Sequence, residues 1–130
     1  MKLILRLICY LWASPASLLG MAIGGLGMLT RGRARTKAHI LEFHSGAVGW
    51  LLRHFPGDPL AMTLGHVVIA RTEAALDITH EHEMVHVRQY ERWGPLFIPA
   101  YLACSLVLWL RRRDPYRDNP FEVEAYSVAP

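Results

Sequence analysis

Charge is scarce in this chain. Asp, Glu, Lys and Arg together make up 19% of its 130 residues, against 52% apolar residues. That balance is rich for a small soluble protein and points to membrane contact. Cysteine is scarcer still. Cys9 and Cys104 each lie inside an apolar run, without the close spacing of a zinc knot or a redox pair, and both read as small buried hydrophobes. Nor does any basic face carry interleaved aromatics, the pattern that a nucleic-acid surface would show. The length fits one domain, or a small domain with an anchor.

What basic charge there is has a definite placement. Eight of the 14 basic residues fall in two clusters, Arg31, Arg33, Arg35 and Lys37, then Arg111, Arg112, Arg113 and Arg117. Each cluster directly follows an apolar run, which is how a membrane protein marks the end of an embedded segment. Residues 3–29 are almost wholly apolar, broken by Arg6 and by Ser14-Pro15. A cleaved signal peptide would leave a hydrophobic end, since residues 18–29 are apolar too, so a retained anchor explains both halves. Its 27 residues suffice for a tilted span. The Pro15 break and Gly24-Gly25 equally permit two short helices dipping in and back.

The densest chemistry is His82-Glu83-Met84-Val85-His86, an H-E-x-x-H pattern. Two histidines four apart share one helix face, so both imidazoles can reach a single ion, and Glu83 beside them can address a water on it. Two neutral nitrogen ligands and a carboxylate base are the kit of metal-assisted hydrolysis. Thr79 reads as the N-cap of this helix, with Glu81 and Glu83 in its first turn, and Gly94-Pro95 as its end. Gln89 and Tyr90 project near the histidine face, as support for the ligands or as core.

Before it, Ile40 to Phe43 alternates, Ser45-Gly46 turns, and residues 48–55 form an apolar run readable as helix or strand. Residues 60–70 read as one strand rich in Val, Ile, Leu and Thr. A small antiparallel sheet of two or three strands is expected. After the helix, residues 96–110 are apolar but short for a span, consistent with a buried or interfacial helix. Asn119 with Pro120 then starts a last short helix carrying Glu122 and Glu124.

A hydrolytic zinc site takes three protein ligands and leaves one position open for water. No histidine follows His86, so the third ligand is expected to be a downstream carboxylate, from Asp114, Asp118, Glu122 or Glu124, with Glu91 poorly directed. The order H-E-x-x-H and then a helix with E-x-x-A resembles the gluzincin metallopeptidases, where that glutamate is the third zinc ligand. Several membrane-embedded families of this type read E-x-x-A-D. Here the string is Glu122-Val123-Glu124-Ala125-Tyr126, which places Glu122 on the ligand position and Tyr126 where an aspartate usually orients a ligand histidine. The stretch from His82 to Pro95, with Asn119 to Glu122, also resembles small uncharacterised bacterial membrane proteins of peptidase type. Glu122 can alternatively serve as a capping-box glutamate, which would leave Glu124 as the ligand.

The resemblance implies an α+β fold. A zincin-like domain over residues 31–130 would carry a short antiparallel sheet, the H-E-x-x-H helix and a C-terminal helix with a Glu ligand, behind a membrane anchor or re-entrant segment at 1–30. It implies a zinc-dependent peptidase with His82, His86 and Glu122 on Zn2+ and Glu83 as catalytic base, acting on peptide or protein substrates beside membrane lipid. Tyr90, Tyr101 or Tyr126 would stabilise the oxyanion. If Glu122 meets the histidines, residues 96–110 cannot be a single crossing, and the basic clusters place the site on the cytoplasmic side of an inner membrane. The alternative is a non-catalytic membrane protein with a structural or partner-binding metal, its shell closed by His80 or Glu124. The other histidines (His39, His44, His54 and His66) read as surface or core.

Overall fold

The computed structural model describes residues 2–37 and 39–129. Its architecture is α+β: a four-stranded mixed sheet, a long apolar N-terminal helix, and helices on both sheet faces.

Helix α1 runs unbroken from Lys2 to Met28. Pro15 cannot donate to the Leu11 carbonyl four residues back, but the Ser14 hydroxyl donates to it instead, at 2.8 Å. That local repair is why no break occurs. The buried face of α1 is a stripe of small residues: Ala13, Ala16, Ser17, Gly20, Gly24 and Gly27. Its large side chains, among them Leu11, Leu18 and Leu26, point outward and are exposed. Gly24 is required by close approach, because a Cβ there would fall on the Phe43 ring. Thus α1 packs along the domain instead of standing apart from it, with contacts to all four strands.

Strands β1 (Arg33–Lys37), β2 (Ile40–His44), β3 (Ala61–Leu64) and β4 (Val67–Ala70) lie in the order β1-β2-β4-β3. The β1/β2 and β4/β3 pairs are antiparallel, while β2 and β4 are parallel. The expected all-antiparallel sheet of two or three strands is therefore corrected. Residues 60–70 hold two strands, separated at Gly65, whose φ of +66° suits glycine and whose missing Cβ makes room for Ser17. The apolar run before them is helix α2 (Gly46–Arg53), which leads to the edge strand β3; the β3–β4 turn then brings β4 back between β3 and β2, parallel to β2.

One sheet face meets helix α3 through Ile40, Ala61, Val68 and Ala70 against Ala75, Leu76 and Val87. The other packs Phe43, Leu64, Val67 and Ile69 against Val48 and Leu52 of α2 and Ile23 of α1. Arg35 ties the strands to α3, bonding the buried Glu42 at 2.9 Å and Asp77 at 2.7 Å.

Helix α3 spans Glu73–Trp93, starting well before the expected Thr79. The N-cap is Thr72, whose Oγ1 accepts from Ala75 N at 3.0 Å. Thr79 lies inside the helix and donates to Ala75 O. Burial of Ala75 and Leu76 against the sheet extends the helix backward. Gly94 closes it as expected, and a 3-10 turn (Gly94–Leu96) leads into α4 (Phe97–Leu110). Of α4 only Phe97 is buried; Leu102, Leu106, Trp109 and Leu110 are exposed. Cys9 and Cys104 are free and half-buried.

By length and composition, two helices are apolar enough to cross a membrane: α1, and the continuous run from Glu73 to Leu110. The apolar part of that run is its α4 end. Helix α5 (Pro120–Val128) follows a return segment, with Asn119 as N-cap and Pro120 first. Asn119 is fully buried. Its Oδ1 accepts from Phe121 N, and its Nδ2 donates to Tyr101 O at 3.0 Å and Ser105 Oγ at 2.9 Å. This clasp folds the chain back along α4 and delivers α5 to α3.

Candidate metal centre

The clasp brings Glu122 to the histidines. Its Oε1 lies 3.2 Å from His82 Nε2 and 2.8 Å from His86 Nε2, and all three side chains are buried. Their donor atoms lie within 4.8 Å of one another, so the group could hold a metal ion.

The partners of the other ring nitrogens fix the protonation pattern. His82 Nδ1 faces the Ala129 carbonyl at 3.2 Å, which can only accept, so Nδ1 carries the hydrogen. His86 Nδ1 faces Gln89 Oε1 at 2.7 Å. The Gln89 amide nitrogen donates to Phe121 O and to Glu124 Oε1, at 3.0 and 2.7 Å. Both are acceptors, so the amide cannot be reversed, and His86 Nδ1 is also a donor. In a neutral ring each Nε2 then turns a lone pair toward the same carboxylate oxygen. Three such electron pairs converge favourably only around a positive charge, either protons or a cation. This is the donor arrangement of a metal-binding histidine pair with its outer hydrogen bonds in place.

Without an ion, protons fill that role. Burial alone would disfavour a charged His86, but hydrogen bonding to Glu122 and the charges of Glu83 and Glu122 outweigh it and hold its pKa at about 9. His82 is raised too: the Glu122 bond and the Glu83 charge overcome the burial that opposes them. Burial would raise the Glu122 carboxyl, yet the two histidines bring it down to about 2.

Glu83 stands beside this group, wholly buried in the interior, and burial pushes its pKa upward against the opposing charge of His86. Its carboxylate accepts from the Thr63 hydroxyl on β3. Tyr101 from α4 donates to Glu122 Oε2 at 3.1 Å, and Tyr90 donates to the Thr63 carbonyl. Tyr126 sets its ring edge-on to His82, with centroids 4.6 Å apart. It does not orient the His82 nitrogen; the Ala129 carbonyl does.

The remaining acids lie elsewhere. Glu124 is engaged by Gln89. Asp114 accepts from the backbone of Tyr116 and Arg117, and Asp118 accepts from the Asp114 backbone N–H. Among the described residues His80 is outside the cluster, and its buried Nδ1 has no partner. Sequence reasoning singled out His82, Glu83, His86 and Glu122, with Glu124 as the alternative third ligand, and offered Gln89 as support or as core. It missed Thr63 and the Ala129 carbonyl, which carry no local signal, and it gave Tyr101 no part in holding Glu122.

Two cavities meet at Glu83. One of about 830 Å³ is walled mainly by apolar side chains, with Leu19 and Ile23 from α1, Phe55 just after α2, and Ile98 and Leu102 from α4; Glu83, His86 and Glu122 also line it. The other, about 280 Å³, is reached past Asp58, Arg117 and Tyr126 and touches His82 and Glu83. Comparisons with known protein families, curated proteins and solved structures find no match for this chain.

Proposed function

We propose that the protein is a membrane-associated zinc-dependent peptidase of gluzincin type. The observation that carries the reading is the convergence of His82 Nε2, His86 Nε2 and one Glu122 oxygen, with both Nδ1 atoms already committed as donors. Two imidazoles and a carboxylate suit zinc, and three protein ligands leave a fourth position open. Zinc held there supplies Lewis acidity, lowering the pKa of a water to near neutrality. Glu83 takes the proton of the attacking water and passes it to the leaving amine. Its burial pushes the carboxyl pKa upward, which makes it a stronger base toward that water. Thr63 holds the base in place, and Tyr101 fixes the free oxygen of Glu122.

The cavities support a division of labour. The larger one is lined by side chains of α1 and α4, the two helices with exposed apolar faces. It suits a peptide whose apolar side chains enter from the lipid. The smaller, more polar opening suits water. Basic residues follow both helices, Arg31 and Arg33 after α1 and Arg111 to Arg113 after α4, which under the positive-inside rule puts those ends at the cytoplasmic surface of an inner membrane.

The test is cleavage of an apolar peptide in detergent micelles by the zinc-loaded chain. Glu83→Gln should keep stoichiometric zinc and lose about 10²–10⁴-fold in rate. His86→Ala should lose both metal and rate. Undiminished cleavage by Glu83→Gln would overturn the mechanism.

A further inference from the structure

A second group of the same composition lies outside this centre. His39 sits in the turn between β1 and β2, and His66 in the turn between β3 and β4. The parallel pairing of β2 with β4, in which Leu41 opposes Val67, sets the starts of these two strands side by side. The turns therefore bring the two imidazoles to one end of the sheet, with ring centroids 5.7 Å apart. Glu91 reaches them from α3. It follows His86 by five residues, about 140° further round the helix, so it leaves the face of the first centre.

We propose that His39, His66 and Glu91 form a second divalent-metal site, of the zinc class, that fastens α1 to the domain. One carboxylate oxygen, Glu91 Oε2, lies 2.8 Å from His66 Nε2 and 3.8 Å from His39 Nε2. Glu122 Oε1 holds the same relation to its two histidines. The longer distance is no hydrogen bond. Donor atoms bound tetrahedrally at zinc distances stand about 3.3 Å apart, so the two observed separations bracket the value that an ion would impose. All the donor atoms lie within 4.8 Å of one another.

Burial supplies the second argument. The His66 ring is withdrawn from solvent, and among the described residues its Nδ1 has no partner, so Glu91 is the one side chain its polar edge meets. Burying a polar ring on so little hydrogen bonding is costly, and an ion shared by Nε2 and the Glu91 carboxylate would strengthen the one polar contact it has. His39 and Glu91 are only half-buried, leaving solvent to complete the shell. Tyr10 of α1 closes over the group: its hydroxyl donates to the His39 carbonyl at 2.8 Å, and its ring lies 4.4 Å from that of His66. A cation that orders these two rings thereby orders the surface on which α1 rests.

The experiment is metal content of the full chain in detergent, with any tag removed, after zinc loading and gel filtration. Wild type should hold two equivalents. Glu91→Gln should hold one, and the His82→Ala/His86→Ala variant should also hold one. Cobalt in that double variant should give a d–d band that His39→Ala abolishes, and zinc should raise its Tm only while Glu91 is present. Full zinc retention by Glu91→Gln, or a single equivalent in wild type that the double variant eliminates, would overturn the proposal. A single equivalent that survives the double variant and disappears in Glu91→Gln supports this site and defeats the reading of the first.

Discussion

Helices α1 and α3 are the two longest in the molecule, and they are patterned in opposite senses. In α3 the sheet-facing side holds Leu76 and Val87, while Glu73 and Asp77 are exposed. That is the ordinary rule for a helix between a core and water. In α1 the protein-facing side holds Ala, Ser and Gly, while the leucines face out. Such an arrangement gains nothing from hiding leucine from water. It gains from close backbone approach, as helices do when their surroundings are themselves apolar. The difference teaches that one domain is patterned in two ways. Helix α3 hides its apolar side chains against the sheet, and α1 leaves its leucines exposed on a helix long and apolar enough to cross a membrane.

The sharpest way to break this contrast is to put a large side chain on the small face. Gly24→Leu drives atoms into the Phe43 ring and should cost about 1–3 kcal/mol or more, read as a lower Tm in detergent. On α3 the sensitive position is Gln89, which orients His86 and links it to α5. Gln89→Ala should weaken zinc binding about 10–100-fold, measured by competition with a chelator, while the fold persists.

Proton competition probes the same centre. Against the burial that opposes it, the hydrogen bond to Glu122 holds the His86 pKa up at about 9, so below that pH the proposed zinc would have to displace its proton. Apparent affinity should rise by about tenfold per pH unit for each proton displaced, from pH 6 upward, and level off near 9. A titration flat over this range would show that the histidine carries no proton to lose. The smallest effect belongs to the outer face of α1. Leu18→Ser, at an exposed position, should leave unfolding free energy in detergent within about 0.5 kcal/mol of wild type yet reduce partition into vesicles.

These contrasts were unevenly legible in the sequence. The histidine pair and Glu83 follow from spacing along one helix, and the Asn119-Pro120 start of α5 is a local signal that the structure reproduces. The helix boundary at Thr72 was hidden because Thr79 offers an equally good cap, and only burial of Ala75 and Leu76 against the sheet decides between them. Residues 60–70 read as one strand because Val67 to Ala70 prolong the apolar run; the reversal depends on Gly65 meeting α1. The parallel pairing is set by α2 leading to β3 and the β3–β4 turn returning the chain beside β2, which no local pattern encodes. Thr63 beneath Glu83 and the His39, His66 and Glu91 group arise from strands and turns brought together only by that pairing. The small-residue face of α1 lies in plain view, as spacings of three and four among Ala, Ser and Gly, but only Gly24 of it entered the sequence reading, in Gly24-Gly25 as a point where the helix could divide.

The Asn119 clasp has a mechanical meaning as well. Asn119 is held to the Tyr101 carbonyl and the Ser105 hydroxyl, and the Tyr101 phenol is held to Glu122. Glu122 is thus suspended from α4 at three points, each worth about 0.5–1.5 kcal/mol. Any shift or tilt of α4 is therefore handed to a carboxylate within hydrogen-bonding reach of two histidines, so the position of the Glu122 oxygen depends on α4 as well as on its own helix.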